Sequence, residues 1–122
     1  MAVHKTAELT GTVVGVHTGA LLLRKIKIKA TVLDSPVLYI QIFNTASGSV
    51  TLGTTAPIMV LQVPAGNAVT PLAEHTFIFV GPKGGYQLGT ALTIACTTTH
   101  DGNTAPDAGD RPHVTVDYAP IG

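Results

Sequence analysis

The chain has 122 residues, room for one domain and no more. Seven Lys and Arg balance seven Asp and Glu, and charged residues make up only 11%, against about 25% in an average soluble domain; with no net field to draw in polyanions, neither nucleic acid nor a membrane is an expected partner. Apolar residues reach 45% with 5% aromatics, no Trp and one Cys, which points to a β-branched and aliphatic core and excludes an intrachain disulfide framework.

In chain order, residues 1–7 read as a flexible arm ahead of one domain spanning 8–122. The N-terminal MAVHKTAELTG has no apolar signal core, and no apolar run approaches the length of roughly 18 residues that a membrane span needs, so a soluble protein made in a cytoplasm is expected. Residues 8–17 (ELTGTVVGVH) form the first expected strand, with Gly11 and Gly15 marking bends or bulges. A turn at 17–20 leads into 21–33 (LLLRKIKIKATVL), where Ile26, Ile28, Ala30 and Val32 alternate with Lys25, Lys27, Lys29 and Thr31. That is the pattern of a half-exposed strand. After the turn Asp34-Ser35-Pro36 the next strand follows at once, so 21–43 reads as a hairpin or meander.

The stretch 37–64 holds two uncharged runs. Leu38, Ile40 and Ile42 alternate with Tyr39, Gln41 and Phe43 in the first; Ile58, Val60 and Gln62 alternate with Met59, Leu61 and Val63 in the second. With so little polar contrast, both strands are expected to be buried on one side and at least half covered on the other, as in the middle of a sandwich or at a subunit contact. The loop between them, 44–56, is rich in turn formers, with Val50-Thr51-Leu52 as a brief strand, and is the segment expected to be most free to touch a partner.

Residues 73–80 (AEHTFIFV) give a strand with His75, Phe77 and Phe79 on one face and Glu74, Thr76, Ile78 and Val80 on the other. Gly81-Pro82-Lys83-Gly84-Gly85 breaks it. A short edge strand at 86–88, a firmer one at 91–98 and a last one at 112–118 complete the chain, the final two separated by a surface loop that gathers three of the five Asp residues. No segment has helical periodicity. The expected fold is all-β: a single-domain antiparallel β-sandwich, jelly-roll-like, of roughly seven or eight strands.

Candidate chemistry is sparse. His4, His17, His75, His100 and His113 never share the close spacing of zinc motifs. Asp101, Asn103, Asp107 and Asp110 offer hard oxygen ligands, but Pro106 and Pro112 stand where an EF-hand loop needs Gly and Glu. Glu8 and Glu74 are the only glutamates, there is no GxSxG elbow, and the Gly81 to Gly85 segment lacks phosphate-loop spacing and a following helix. Cys96, among Ile94, Ala95 and Thr97, reads as a packed thiol. The chain is therefore expected to be no enzyme and to hold no metal or cofactor. Lys25, Lys27 and Lys29 are either a solvated face, edge-strand lysines that discourage pairing, or a contact row for an acidic partner. With Ser47 and Ser49 in the central loop they are the candidate partner-binding residues.

The succession YIQIFNTAS, VTLGTTAPIMVLQVPAG, GTALTIACTTT and the APDAGD loop before HVTVDY resembles small structural proteins of tailed bacteriophage virions, over nearly the whole of residues 21–118. The resemblance implies an all-β capsid decoration or cement protein, a homo-oligomer with a trimer favoured. Its partner would be the major capsid protein and its place the capsid surface of the virion, after synthesis in the host cytoplasm. The alternative is a receptor- or carbohydrate-binding module of a phage tail fibre or spike.

Overall fold

Alternation at period two is converted into strands along almost every described stretch. The structure, a computed structural model, describes residues 2–6, 13–29, 36–64, 74–100, 102–104, 106 and 112–121. Its strands are β1 (Ala2–Thr6), β2 (Val14–Thr18), β3 (Leu21–Lys29), β4 (Leu38–Phe43), β5 (Met59–Val63), β6 (Glu74–Ile78), β7 (Tyr86–Leu88), β8 (Ala91–Thr97) and β9 (His113–Pro120). Among the described residues the only helical piece is a 3-10 turn at Ser47–Ser49.

The strands form two antiparallel sheets. The first runs β1-β9-β3-β6, with β7 also paired to β3, and the second runs β2-β8-β4-β5. Four pairings are nested about one centre: β4 with β5, β3 with β6, β2 with β8 and β1 with β9. This is one long hairpin with its tip between β4 and β5, rolled until β9 meets β3 and β8 meets β4. Eight strands thereby make the expected jelly-roll sandwich, and β7 is an addition at the edge of β3.

Several local expectations are corrected by this topology. Residues 1–7 are not a loose arm throughout, because Ala2–Thr6 pairs with β9 from Ala2 opposite Tyr118 to Thr6 opposite Val114. The segment 21–43 is not a hairpin: β3 and β4 lie in different sheets, and the hairpin is β4 with β5. Val50-Thr51-Leu52 is not a strand but part of a turn, in which the Thr54 and Thr55 amides donate to the Thr51 carbonyl at 3.0 and 2.8 Å. Nor is β3 an edge strand, since it sits between β9 and β6. The expected bulge at Gly15 is present, with a register shift between Gly15 and His17. A methyl group on Gly15 would stand 3.0 Å from the Ser47 hydroxyl oxygen, so the 3-10 turn rests on this glycine.

The core lies between the sheets. Leu21, Leu23, Ile26 and Ile28 of β3 and Val114, Val116 and Tyr118 of β9 meet Leu38, Ile40 and Ile42 of β4 and Leu92, Ile94 and Cys96 of β8. Each large aliphatic side chain removed from water in this way contributes about 1.5–3 kcal/mol.

The outer face of the second sheet is also buried. Gln41, Phe43, Thr93, Ala95 and Thr97 point away from the core, yet each is fully excluded from solvent. Two loops of the same chain cover them. The Gln41 Nε2 donates to Thr97 Oγ1 at 2.9 Å and to the Gly102 carbonyl at 3.0 Å, and Thr97 Oγ1 donates to the Thr99 carbonyl at 2.7 Å. Thr93 Oγ1 donates to the Thr45 carbonyl at 2.6 Å, while the Asn44 side-chain oxygen accepts from the Thr90 and Ala91 amides at 3.0 and 3.2 Å. The missing polar contrast of β4 is thus explained by the described residues of 44–58 and 98–104 folding over β4 and β8. The second run is less covered than expected, because β5 is a sheet edge with Ile58 41% exposed and Met59, Val60 and Leu61 only half-buried.

Truncation of Ile40, which has no solvent exposure, is expected to cost about 2–5 kcal/mol. Ser49→Asp, on the exposed 3-10 turn, should stay within about 0.5 kcal/mol of the parent. Urea unfolding of Ile40→Ala and Ser49→Asp measures both, and equal losses would contradict the layering described.

Candidate functional site

β3 carries one residue more than β9 can match. Leu23 stands opposite Tyr118 and Lys25 opposite Asp117, so the register slips at Arg24. A bulge of this kind re-aims the side chains around it and increases local twist. It changes the parity of the strand, from Leu21 and Leu23 inward to Ile26 and Ile28 inward. It also divides the other edge of β3 between two partners. Residues 25–29 pair with β6 and residues 21–23 with β7, and only the Phe79 amide reaches Arg24, donating to its carbonyl at 2.9 Å.

The chain between β6 and β7 must therefore leave the sheet at the bulge and return. It does so through a turn in which the Gly84 amide donates to the Gly81 carbonyl at 3.0 Å, with Pro82 inside the turn. Gly84 has φ +87°, a left-handed conformation natural to glycine. Gly85 lies so close to β3 that a methyl group would come within 2.8 Å of the Leu23 carbonyl oxygen.

Two depressions flank this turn. One, of about 470 Å³, is lined by Arg24, Lys25, Ile78, Phe79, Val80, Gly81, Gly84 and Asp117. The other, of about 210 Å³, lies against Leu22, Pro82, Lys83, Tyr86 and Gln87 and shares Val80 and Gly81 with the first. Ile78 is 72% exposed and Val80 83%, with Tyr86 at 42%. These open aliphatic side chains lie next to one another and to cations, and so form a patch rather than scattered exposed residues.

The outer face of the first sheet continues from here in rows set by strand register. Ile78, Lys25 and Asp117 lie abreast, then Thr76, Lys27 and Thr115, then Glu74, Lys29 and His113. Lys27 Nζ and Glu74 Oε1 are 3.8 Å apart and both exposed, a geometry that contributes little to stability. Lys25, Lys27 and Lys29 thus share one face. Ser47 and Ser49 do not join them, because their turn belongs to the second sheet and sits against β2.

The remaining candidates are dispersed. The His17 ring packs on Tyr118 at 5.3 Å between centroids, His100 meets Tyr39 edge-on at 5.7 Å, His75 is on β6 and His113 on β9. Among the described residues no three His, Cys, Asp or Glu side chains come together. Glu8, Asp101, Asp107 and Asp110 lie outside the described residues. Gly81 to Gly85 leads into a strand and not a helix.

Cys96 is fully buried in the core. Burial disfavours the thiolate and pushes the thiol from 9.0 up to about 12. Compared with models of protein families, with curated proteins and with solved structures, the chain finds no match in any of the three.

The residues that sequence reading passed over are Arg24, Ile78, Val80 and Asp117. Two signals for them exist. The apolar positions of LLLRKIKIK change parity between Leu23 and Ile26, and Ile78 and Val80 share a face with the polar Glu74 and Thr76.

The Cys96 shift has a testable sign. Between pH 9 and 12 the folded chain keeps a proton that the unfolded chain releases, so this contribution is full below pH 9 and is lost as pH rises, by up to about 1.4 kcal/mol per unit. Cys96→Ala should show a shallower fall of unfolding free energy above pH 9 than the parent. Identical alkaline slopes would contradict the burial argument.

Proposed function

We propose that this chain is a non-enzymatic structural protein of a tailed bacteriophage virion, a decoration or cement protein that binds the capsid exterior and stabilises the shell. Its partners are the major capsid protein and further copies of itself, most simply in a trimer. The observation that carries the proposal is the exposure of Ile78 and Val80, 72% and 83%, beside a row of cations on the outer face of the first sheet. On the opposite sheet the chain's own loops cover β4 and β8, while the most exposed aliphatic side chains, Ile78 and Val80, stand on and beside the first sheet.

The other support is the sequence resemblance together with the economy of the fold. A protein that clamps a shell needs a stiff body and a patch repeated in register with a lattice, so that weak contacts add through multivalency. The larger groove holds Arg24, Lys25 and Asp117, without a nucleophile and base in contact, and so reads as a contact surface and not a reaction centre.

A receptor- or carbohydrate-binding module of a tail fibre or spike is the second reading, and Tyr86, 42% exposed beside the smaller groove, is what favours it. Sugar platforms rest on exposed aromatic faces. Tyr118 is buried and Tyr39 is half-buried against His100, which leaves too little aromatic surface for that reading to lead.

The test is light scattering of the purified protein together with co-sedimentation with expanded shells of the major capsid protein. Oligomers and shell binding are expected. Val80→Glu should weaken shell binding by about tenfold or more, as loss of a central contact does, without lowering thermal stability. A monomer that ignores shells would overturn the proposal, and a glycan-array signal from such a monomer would move it to the second reading.

A further inference from the structure

The formal charge of the chain is zero, yet the described charges of the first sheet are mostly positive. Of the seven basic residues in the chain, Arg24, Lys25, Lys27 and Lys29 stand on β3 and Lys83 in the turn beside it. Of the seven acidic residues, Glu74 and Asp117 are the ones placed on the strands flanking β3. Among the described residues, five cations thus meet two carboxylates on and beside one sheet face.

We infer that this face binds an acidic polypeptide segment, with carboxylates seated on Arg24 and Lys25 and an aliphatic side chain between them lying on Ile78 and Val80. The inference deepens the docking reading above and rests on its choice of face. Three observations select this chemistry. The groove pairs a guanidinium, which grips a carboxylate through two parallel hydrogen bonds, with an aliphatic floor that a purely ionic ligand would leave wet. Asp117 lines the same groove, and its Oδ1 is buried with no hydrogen-bond partner among the described residues. A carboxylate there repels an unbroken run of phosphates, which has no donor to offer it, whereas a peptide can set a backbone N–H against Asp117 while its carboxylates sit on Arg24 and Lys25. Finally, among the described residues Tyr86 is the only exposed aromatic ring at the two grooves, too few for the stacking on which single-stranded nucleic acid depends.

The test uses the whole protein, labelled with 15N, and an acetylated and amidated five-residue peptide alternating aspartate with leucine. Its counterpart with lysine in place of aspartate, a short oligothymidylate and phosphatidylglycerol-containing vesicles are the comparisons. The aspartate peptide should move the amides of β3 and of residues 79–85 and leave 44–58 in place. Arg24→Glu and Lys25→Glu, each with a well-dispersed spectrum, should weaken it by about tenfold. Salt near 0.5 M, where screening acts within a few Å, should do the same. Absence of these shifts, the same shifts with the lysine peptide, or binding of oligothymidylate or vesicles in place of the peptide would overturn the inference. Shell binding that survives while peptide binding fails would overturn it too and leave the docking proposal standing.

Discussion

One extra residue in β3 governs what this fold presents at the outer face of its first sheet. β3 has to pair with β9 along one edge and with both β6 and β7 along the other. Two strands can share that edge only if the chain between them leaves the sheet, and Arg24 is the point at which it leaves. Without the bulge, Leu21 and Leu23 could not face the core in the same strand as Ile26 and Ile28, because a two-residue repeat allows no change of parity. The apolar demand of the core therefore forces the irregularity. The irregularity then gathers Arg24, Lys25, Asp117 and the exposed Ile78 and Val80 around one groove.

The two sheets treat their outer faces in opposite ways. On the second sheet, the described residues of 44–58 and 98–104 close over β4 and β8, held by hydrogen bonds that Gln41 and Thr93 donate and that the Asn44 side-chain oxygen accepts. The buried one among them, Gln41 to Thr97, is costly to break, since its loss would strand a desolvated donor or acceptor. On the first sheet the lysines of β3 remain at least partly open. The open, mixed apolar and basic face is the one on which the docking proposal rests.

Much of the layering was legible in the residues. Lys25, Lys27 and Lys29 against Ile26 and Ile28, and His113, Thr115 and Asp117 against Val114, Val116 and Tyr118, report which side of a strand meets water, because each face has a single solvent environment. The partner of each strand was not legible in the same way. β3 and β4 follow one another with a turn between, which suggests a hairpin, yet rolling of the longer hairpin sends them to different sheets, and nothing local encodes that. The loop 44–56 reads as free because it is rich in Ser, Thr, Gly and Asn. Those same groups are what satisfy Thr93 and the start of β8 when the loop folds back. At the candidate site Lys25 could be named from alternation alone, whereas Arg24, Ile78 and Val80 become neighbours only through the bulge and the pairing of β3 with β6.

The most direct test of the docking account is an image of the assembled particle at a resolution that separates β-sheets. The account predicts density for this chain at local symmetry axes of the capsid, with β3 and the turn at residues 81–84 against a neighbouring subunit and loop 44–58 turned to solvent. Density on the tail, or contacts made through loop 44–58 with β3 left exposed, would contradict it.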